Sequence, residues 1–164
     1  MVFVSFNNNI RGEMCMIHKK LIFLDLEAGD KQEVISRLAD ELLAAGKVRG
    51  TYKQAVLARE ETYPTGLPLG EYNIAMPHTF AEHVIEPVIA VARLKEPVDF
   101  LEMGTKDVHL PVSLVLMMAI SNPQEQVGLL RRILRLFADE DVLREVMTSE
   151  TVDGMYEALA GLNG

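Results

Sequence analysis

The chain has 164 residues, 49% of them hydrophobic and 24% charged, a composition that builds one globular domain and excludes a disordered chain. The net charge of −8 argues against a phosphate-backbone ligand, so no nucleic-acid partner is expected. Cys15 is the only cysteine, which excludes a disulfide framework and a multi-cysteine zinc site within one chain.

The start, Met1–Ile10, has no basic stretch followed by an apolar core, so no signal peptide is expected. Residues 1–17 read as a poorly ordered extension, with the polar run Asn7-Asn8-Asn9 inside it and Met14 and Met16 as alternative starts. The domain proper is expected over 18–164. Leu21–Leu26 is short and apolar and predicts a first strand. Asp30 with Glu33 three residues later forms a capping-box pattern, and Val34, Ile35, Leu38, Leu42 and Leu43 share one face of the helix it opens. Gly46 supplies the stop. A second helix is predicted from Thr51, with Gln54 in the box position, ending by Tyr63-Pro64.

Pro64–Gly70 holds two prolines and two glycines and is neither regular helix nor central strand. Asn73–Met76 and Val88–Leu94 predict strands, with Pro97–Lys106 as a polar connection after the second. His109–Ile120 is the most apolar segment and the candidate central strand, although its later half does not separate strand from buried helix by period alone. Its apolar run falls far short of the roughly 20 residues that span a bilayer. From Pro123 the spacing of Val127, Leu130, Ile133, Leu134 and Phe137 is helical, and two shorter helices are predicted over Asp141–Met147 and Val152–Leu162. The alternation implies an α/β fold: one layered domain with a central mixed, mostly parallel sheet flanked by helices.

His78 follows a short strand and a proline, beside the Pro/Gly loop. Strand ends of α/β sheets are where reactive groups are both exposed and rigidly held. A neutral imidazole there offers one free ring nitrogen as a nucleophile; position alone equally fits an ordinary loop histidine. His83 is five residues on, off the i, i+4 spacing of a helical metal pair, and a metal site would need Glu82 or Glu86 as a third ligand. Arg59 closes the second helix just before the loop and could hold an anion there, or be an exposed helix-end charge. No Walker loop, G-x-G-x-x-G, G-x-S-x-G or HExxH is present.

Together, Arg59-Glu60, Pro64-Thr65-Gly66 and Ile74-Ala75-Met76-Pro77-His78, in that order and spacing, resemble the enzyme IIA component of the sugar phosphotransferase system, in its mannitol/fructose class. The helix start Asn122–Leu130 resembles the family's later helix, so the resemblance spans most of residues 20–160. Two departures are informative. Thr79 follows the histidine where many members have Gly. Glu125-Gln126 stands where mannitol and fructose members carry a Glu-His pair. Gln126 and His83 are both similar to the galactitol-type members, which makes galactitol-like uptake the favoured expectation.

The resemblance implies a phosphotransferase without cofactor or metal. His78 would accept a phosphoryl group from the phosphocarrier HPr and pass it to a IIB component, which serves the membrane IIC component; contact with the membrane is thus only indirect, and the expected compartment is the cytoplasm. The family's phosphorylated nitrogen is Nε2, which requires Nδ1 to carry the proton, ideally bonded to a backbone carbonyl. Arg59 would clamp the phosphoryl oxygens, with Thr65 or Thr79 as hydroxyl donors. His83 and Gln126 are the candidates to stand in for the absent second histidine. Phe80, Leu67 and Leu69 are candidate apolar rim residues for transient partners. An alternative reading is a regulatory relative whose phosphorylation state another protein senses.

Overall fold

The most apolar stretches become the middle of a five-stranded sheet. The computed structural model describes residues 15–163. In chain order the elements are β1 (Ile17–Leu26), α1 (Lys31–Ala44), α2 (Tyr52–Thr62), β2 (Gly66–Leu69), β3 (Tyr72–Ala75), β4 (Val88–Leu101), β5 (His109–Ala119), α3 (Pro123–Phe137), α4 (Glu140–Thr148) and α5 (Val152–Ala158), with 3₁₀ turns at Ala81–His83 and Ala160–Asn163. The strand order is β1-β4-β5-β3-β2. β1 with β4 and β3 with β5 are parallel, while β4 with β5 and β2 with β3 are antiparallel. The sheet is the expected mixed one, its pairings divided evenly between the two senses.

Successive residues of the central strands point to opposite faces. Ala90, Ala92, Val115 and Met117 pack with Val34, Ile35, Leu38, Leu42 and Val56 of α1 and α2. Ile89, Val91, Leu114, Leu116 and Met118 pack with Leu129, Ile133, Phe137, Val146 and Met155 of α3, α4 and α5. Both faces are therefore covered. That is why Leu114–Ala119 is buried without a break and reads as a continuous apolar run instead of an alternating one.

Most helix ends follow the side-chain logic of the sequence. The Asp30 carboxylate accepts from the Glu33 N–H at 2.8 Å, and Glu33 reaches back to Gly29 N at 2.8 Å. Asn122 caps α3 by accepting from Gln124 N at 2.9 Å, with Pro123 in the first turn. Arg93, a buried cation on β4, donates to the carbonyls of Val146 and Ser149 at 3.2 and 2.6 Å and so ties the sheet to the end of α4.

Two expectations change. Thr51 makes no side-chain cap for α2, and its hydroxyl instead meets His83 Nδ1 at 2.8 Å. β4 does not stop at Leu94: it runs through Pro97 to Leu101, with its ladder to β5 shifted between Arg93 and Val98. A proline has no N–H to give, and a bulge with Lys95, Glu96 and Pro97 exposed accommodates it. Within the Pro/Gly loop, Gly66–Leu69 forms an edge strand, joined to β3 by a two-residue turn in which Gly70 has φ +74°. The expected extension over 1–17 falls mostly outside the described residues. Of its last three, Met16 and Ile17 are buried, and their N–H groups both donate to the Asn163 side chain, at 2.9 and 2.8 Å. Met16 and Ile17 thus belong to the core. No helix among the described residues is long and apolar enough to cross a membrane.

A Cβ on Gly66 would lie 2.5 Å from the Leu101 carbonyl oxygen, whereas one on Gly128, in α3, meets nothing within 4 Å. Gly66→Ala is expected to lower stability by roughly 1–3 kcal/mol through overpacking against backbone. Gly128→Ala should raise it by about 0.5–1 kcal/mol through helix propensity. Urea unfolding of the two variants checks both signs.

Candidate active site

His78 lies just beyond β3, where the chain continues alongside β5. Pro77 cannot extend the ladder with an N–H, but its carbonyl accepts from Met118 N at 2.9 Å, and His78 then bridges Met118 in the parallel sense. The Met118 carbonyl is in turn occupied by the buried Tyr52 hydroxyl, at 2.7 Å. His78 is thereby placed at the carboxyl ends of two adjacent parallel strands. It is half-buried.

The ring's protonation follows from its partner. Nδ1 lies 2.8 Å from the Met76 carbonyl oxygen, which has no proton to give. Nδ1 therefore carries the hydrogen and donates, and Nε2 keeps a free lone pair. Burial lowers the imidazole pKa from 6.5, and the nearby positive charge of Arg59 lowers it further; the Met76 bond acts in the other direction without reversing the shift. At neutral pH the ring is uncharged.

Arg59 comes from the last turn of α2. Its guanidinium carbon lies 4.9 Å from the centre of the Phe80 ring and 5.1 Å from that of Tyr63. Two aromatic faces hold the guanidinium, and both rings are 62% exposed. Phe80, expected as an apolar rim, thus also stacks on the arginine. Tyr63 has no signal in the sequence beyond its place before a proline. Leu67 and Leu69 are half-buried and pack on the core instead of forming a rim.

Thr65 and Glu60 form a buried pair behind the histidine. Thr65 N donates to Glu60 Oε1 at 3.0 Å and Thr65 Oγ1 donates to Glu60 Oε2 at 2.8 Å. The same Oγ1 accepts from Met76 N at 3.1 Å. The hydroxyl proton that the sequence reading offered to a phosphoryl group is therefore already given to Glu60. Thr79 is buried, and its hydroxyl makes no hydrogen bond among the described residues.

The two remaining candidates are not joined to the histidine. His83 ends the 3₁₀ turn, with Nδ1 on Thr51 and Nε2 3.5 Å from Glu82. Gln126 is half-buried in the first turn of α3, where its N–H meets the Asn122 carbonyl at 3.1 Å. Neither hydrogen-bonds His78. Among the described residues no three His, Cys, Asp or Glu side chains converge as metal ligands.

Glu60 is 2% exposed, and burial pushes its carboxyl up from 4.5 to about 7. A carboxyl whose pKa is raised by folding prefers its neutral form in the folded state. Its contribution to stability is full below about 4.5 and is lost as the pH rises through about 7. Relative to Glu60→Gln, the wild type should lose up to about 3 kcal/mol across that window. Denaturant unfolding of the pair at several pH values measures the difference, in which the histidine titrations common to both proteins cancel.

Residues 15–161 match the family model described as the phosphoenolpyruvate-dependent sugar phosphotransferase system, EIIA 2. The chain is 35% identical over 119 residues to the galactitol-specific EIIA component of Escherichia coli K12, covering 73% of this chain and 79% of that one. It is 31% identical over 148 residues to the fructose-specific EIIABC component of Bacillus subtilis, covering 88% of this chain but 22% of that longer protein. Among solved structures it resembles IIA mannitol from Escherichia coli, with 28% identity, a TM-score of 0.73 and coverage of 87% and 98% of the two chains. The complex of enzyme IIAMTL with phosphorylated enzyme IIBMTL from the same organism aligns with 28% identity, a TM-score of 0.74 and coverage of 90% and 99%. With the family match spanning nearly the whole described chain and the fold shared, this protein belongs to the EIIA type-2 family, the phosphoryl-carrier components of the phosphoenolpyruvate-dependent sugar phosphotransferase system.

Proposed function

We propose that His78 Nε2 accepts a phosphoryl group from phosphorylated HPr and donates it to a IIB component for uptake of a sugar alcohol, with galactitol-like substrates favoured. The observation that carries the reading is the 2.8 Å bond from Nδ1 to the Met76 carbonyl, which leaves Nε2 as the nucleophile. The Nε2 lone pair forms the new N–P bond while the N–P bond of the donor's phosphohistidine breaks, and the departing imidazole keeps that electron pair. In the second transfer the IIB acceptor attacks phosphorus and the pair returns to Nε2. No net redox change or metal is needed.

Phosphoryl transfer is mainly positioning and charge stabilisation. Arg59, held over the Tyr63 and Phe80 rings, supplies its N–H groups as the clamp. Thr79, whose hydroxyl has no other partner among the described residues, is the better hydroxyl donor than Thr65. The galactitol preference rests on the 35% identity to the galactitol-specific component over most of both chains. That relationship favours transport over a regulatory role. The IIB partner is supported by the similar IIA fold solved with phosphorylated IIB. The domain would act in the cytoplasm, with IIC as its link to the membrane.

Incubation with enzyme I, HPr and phosphoenolpyruvate, followed by intact mass, tests the reading. The wild type should gain one acid-labile phosphoryl group, His78→Ala should gain none, and His83→Ala should behave as wild type. Arg59→Ala should be phosphorylated roughly a hundredfold more slowly. Phosphorylation of His78→Ala would refute the assignment of the nucleophile.

A further inference from the structure

Glu60 is a buried titratable side chain to which the transfer chemistry above gives no task. It follows Arg59 directly, but one residue of helix turns the side chain by about 100°, so Arg59 faces the site while Glu60 faces the interior. Both carboxylate oxygens go to a single residue, Thr65: Oε1 to its N–H at 3.0 Å and Oε2 to its hydroxyl at 2.8 Å. Once ionised, which burial holds off until the pH passes about 7, the Glu60 carboxylate is an acceptor only. It therefore draws the hydroxyl proton to itself and turns a Thr65 lone pair to the Met76 N–H, 3.1 Å away. Met76 in turn presents its carbonyl to His78 Nδ1 at 2.8 Å.

We propose that Glu60 is a positioning residue for phosphoryl transfer: by orienting the Thr65 hydroxyl it fixes Met76, whose carbonyl keeps the proton on His78 Nδ1 and the reactive lone pair on Nε2. The proposal rests on His78 being the phosphoryl acceptor. A glutamine would fill the same space without the cost of burying a charge. Its amide would, however, set a donor against one of two donors, and the hydroxyl would lose its single orientation. An imidazole no longer held by the Met76 carbonyl exchanges between its two tautomers, and each molecule with the proton on Nε2 is unreactive there.

The test is ¹⁵N NMR of the histidine rings in the full chain, in mildly alkaline buffer, beside the rate of phosphorylation by phospho-HPr. Glu60→Gln, Thr65→Val and Thr65→Ser are compared with wild type. Wild type and Thr65→Ser should show the His78 proton on Nδ1 alone. Glu60→Gln and Thr65→Val should show a mixture of tautomers and a rate slowed in proportion to the fraction with the proton on Nε2, roughly twofold for an even mixture. A tautomer change without slowing, or slowing without a tautomer change, overturns the proposal. Wild-type behaviour of Glu60→Gln overturns the part given to Glu60. If Glu60→Gln does not fold, the Thr65→Val and Thr65→Ser pair decides by the same criteria. If wild-type protein takes up no phosphoryl group, the transfer reading falls and this proposal falls with it. If phosphorylation proceeds and the tautomer is the same in all four proteins, only the positioning role is lost.

Discussion

Pro77 has no amide hydrogen, so the ladder between β3 and β5 cannot pass through it, and yet the next residue has to be held still. The Pro77 carbonyl resumes the ladder by taking the Met118 N–H, and the Tyr52 hydroxyl takes the Met118 carbonyl. Both backbone groups of one β5 residue are thereby used to place the segment that carries His78. The histidine is located by the sheet and by α2 together, and not by a loop of its own. Groups held on regular elements are positioned more accurately than groups on free loops, and this segment, with Pro77 and Thr79 buried on either side of the half-buried His78, has the anchoring of a strand.

The electrostatics of the site have one dominant cause. Low-dielectric surroundings disfavour charge, so burial lowers the pKa of His78 and raises that of Glu60. The two groups move in opposite directions on the pH scale for the same reason. Arg59 stands beside them as a cation. Tyr63 and Phe80 hold it by their ring faces, and its charge works against protonation of the imidazole. A neutral base beside a permanent cation suits an incoming anionic group.

Much of the layered fold was legible because burial on both faces leaves a plain mark in a strand. Val88–Ala92 and Leu114–Ala119 are uninterrupted apolar runs for that reason. The same uniformity hides the strand's period, so the ends of such strands are poorly marked. β4 passes through Pro97 because a bulge with exposed neighbours absorbs the missing N–H, and a bulge has no signature in a single sequence. His78 and Arg59 stood out through the spacing of a recognisable pattern. The tasks of Thr65, Glu60 and Tyr63 did not, because each depends on a partner brought near only by tertiary packing. Thr51 shows the limit most clearly: its helix-start context suggests a cap, whereas the fold gives its hydroxyl to His83.

The strand order has a consequence for how the protein comes into being. β3 does not pair with the strand that follows it in the chain; its inner neighbour is β5, which is made later. The segment carrying His78 therefore waits, during synthesis, for a strand some forty residues downstream. No N-terminal fragment that ends before Met118 contains the amide that holds Pro77. Local helices α1 and α2 can form early, but sequence-distant pairings of this kind are the slow step in folding. The histidine's geometry is thus an indicator of completed folding: a nascent or clipped chain has the residue but lacks the arrangement.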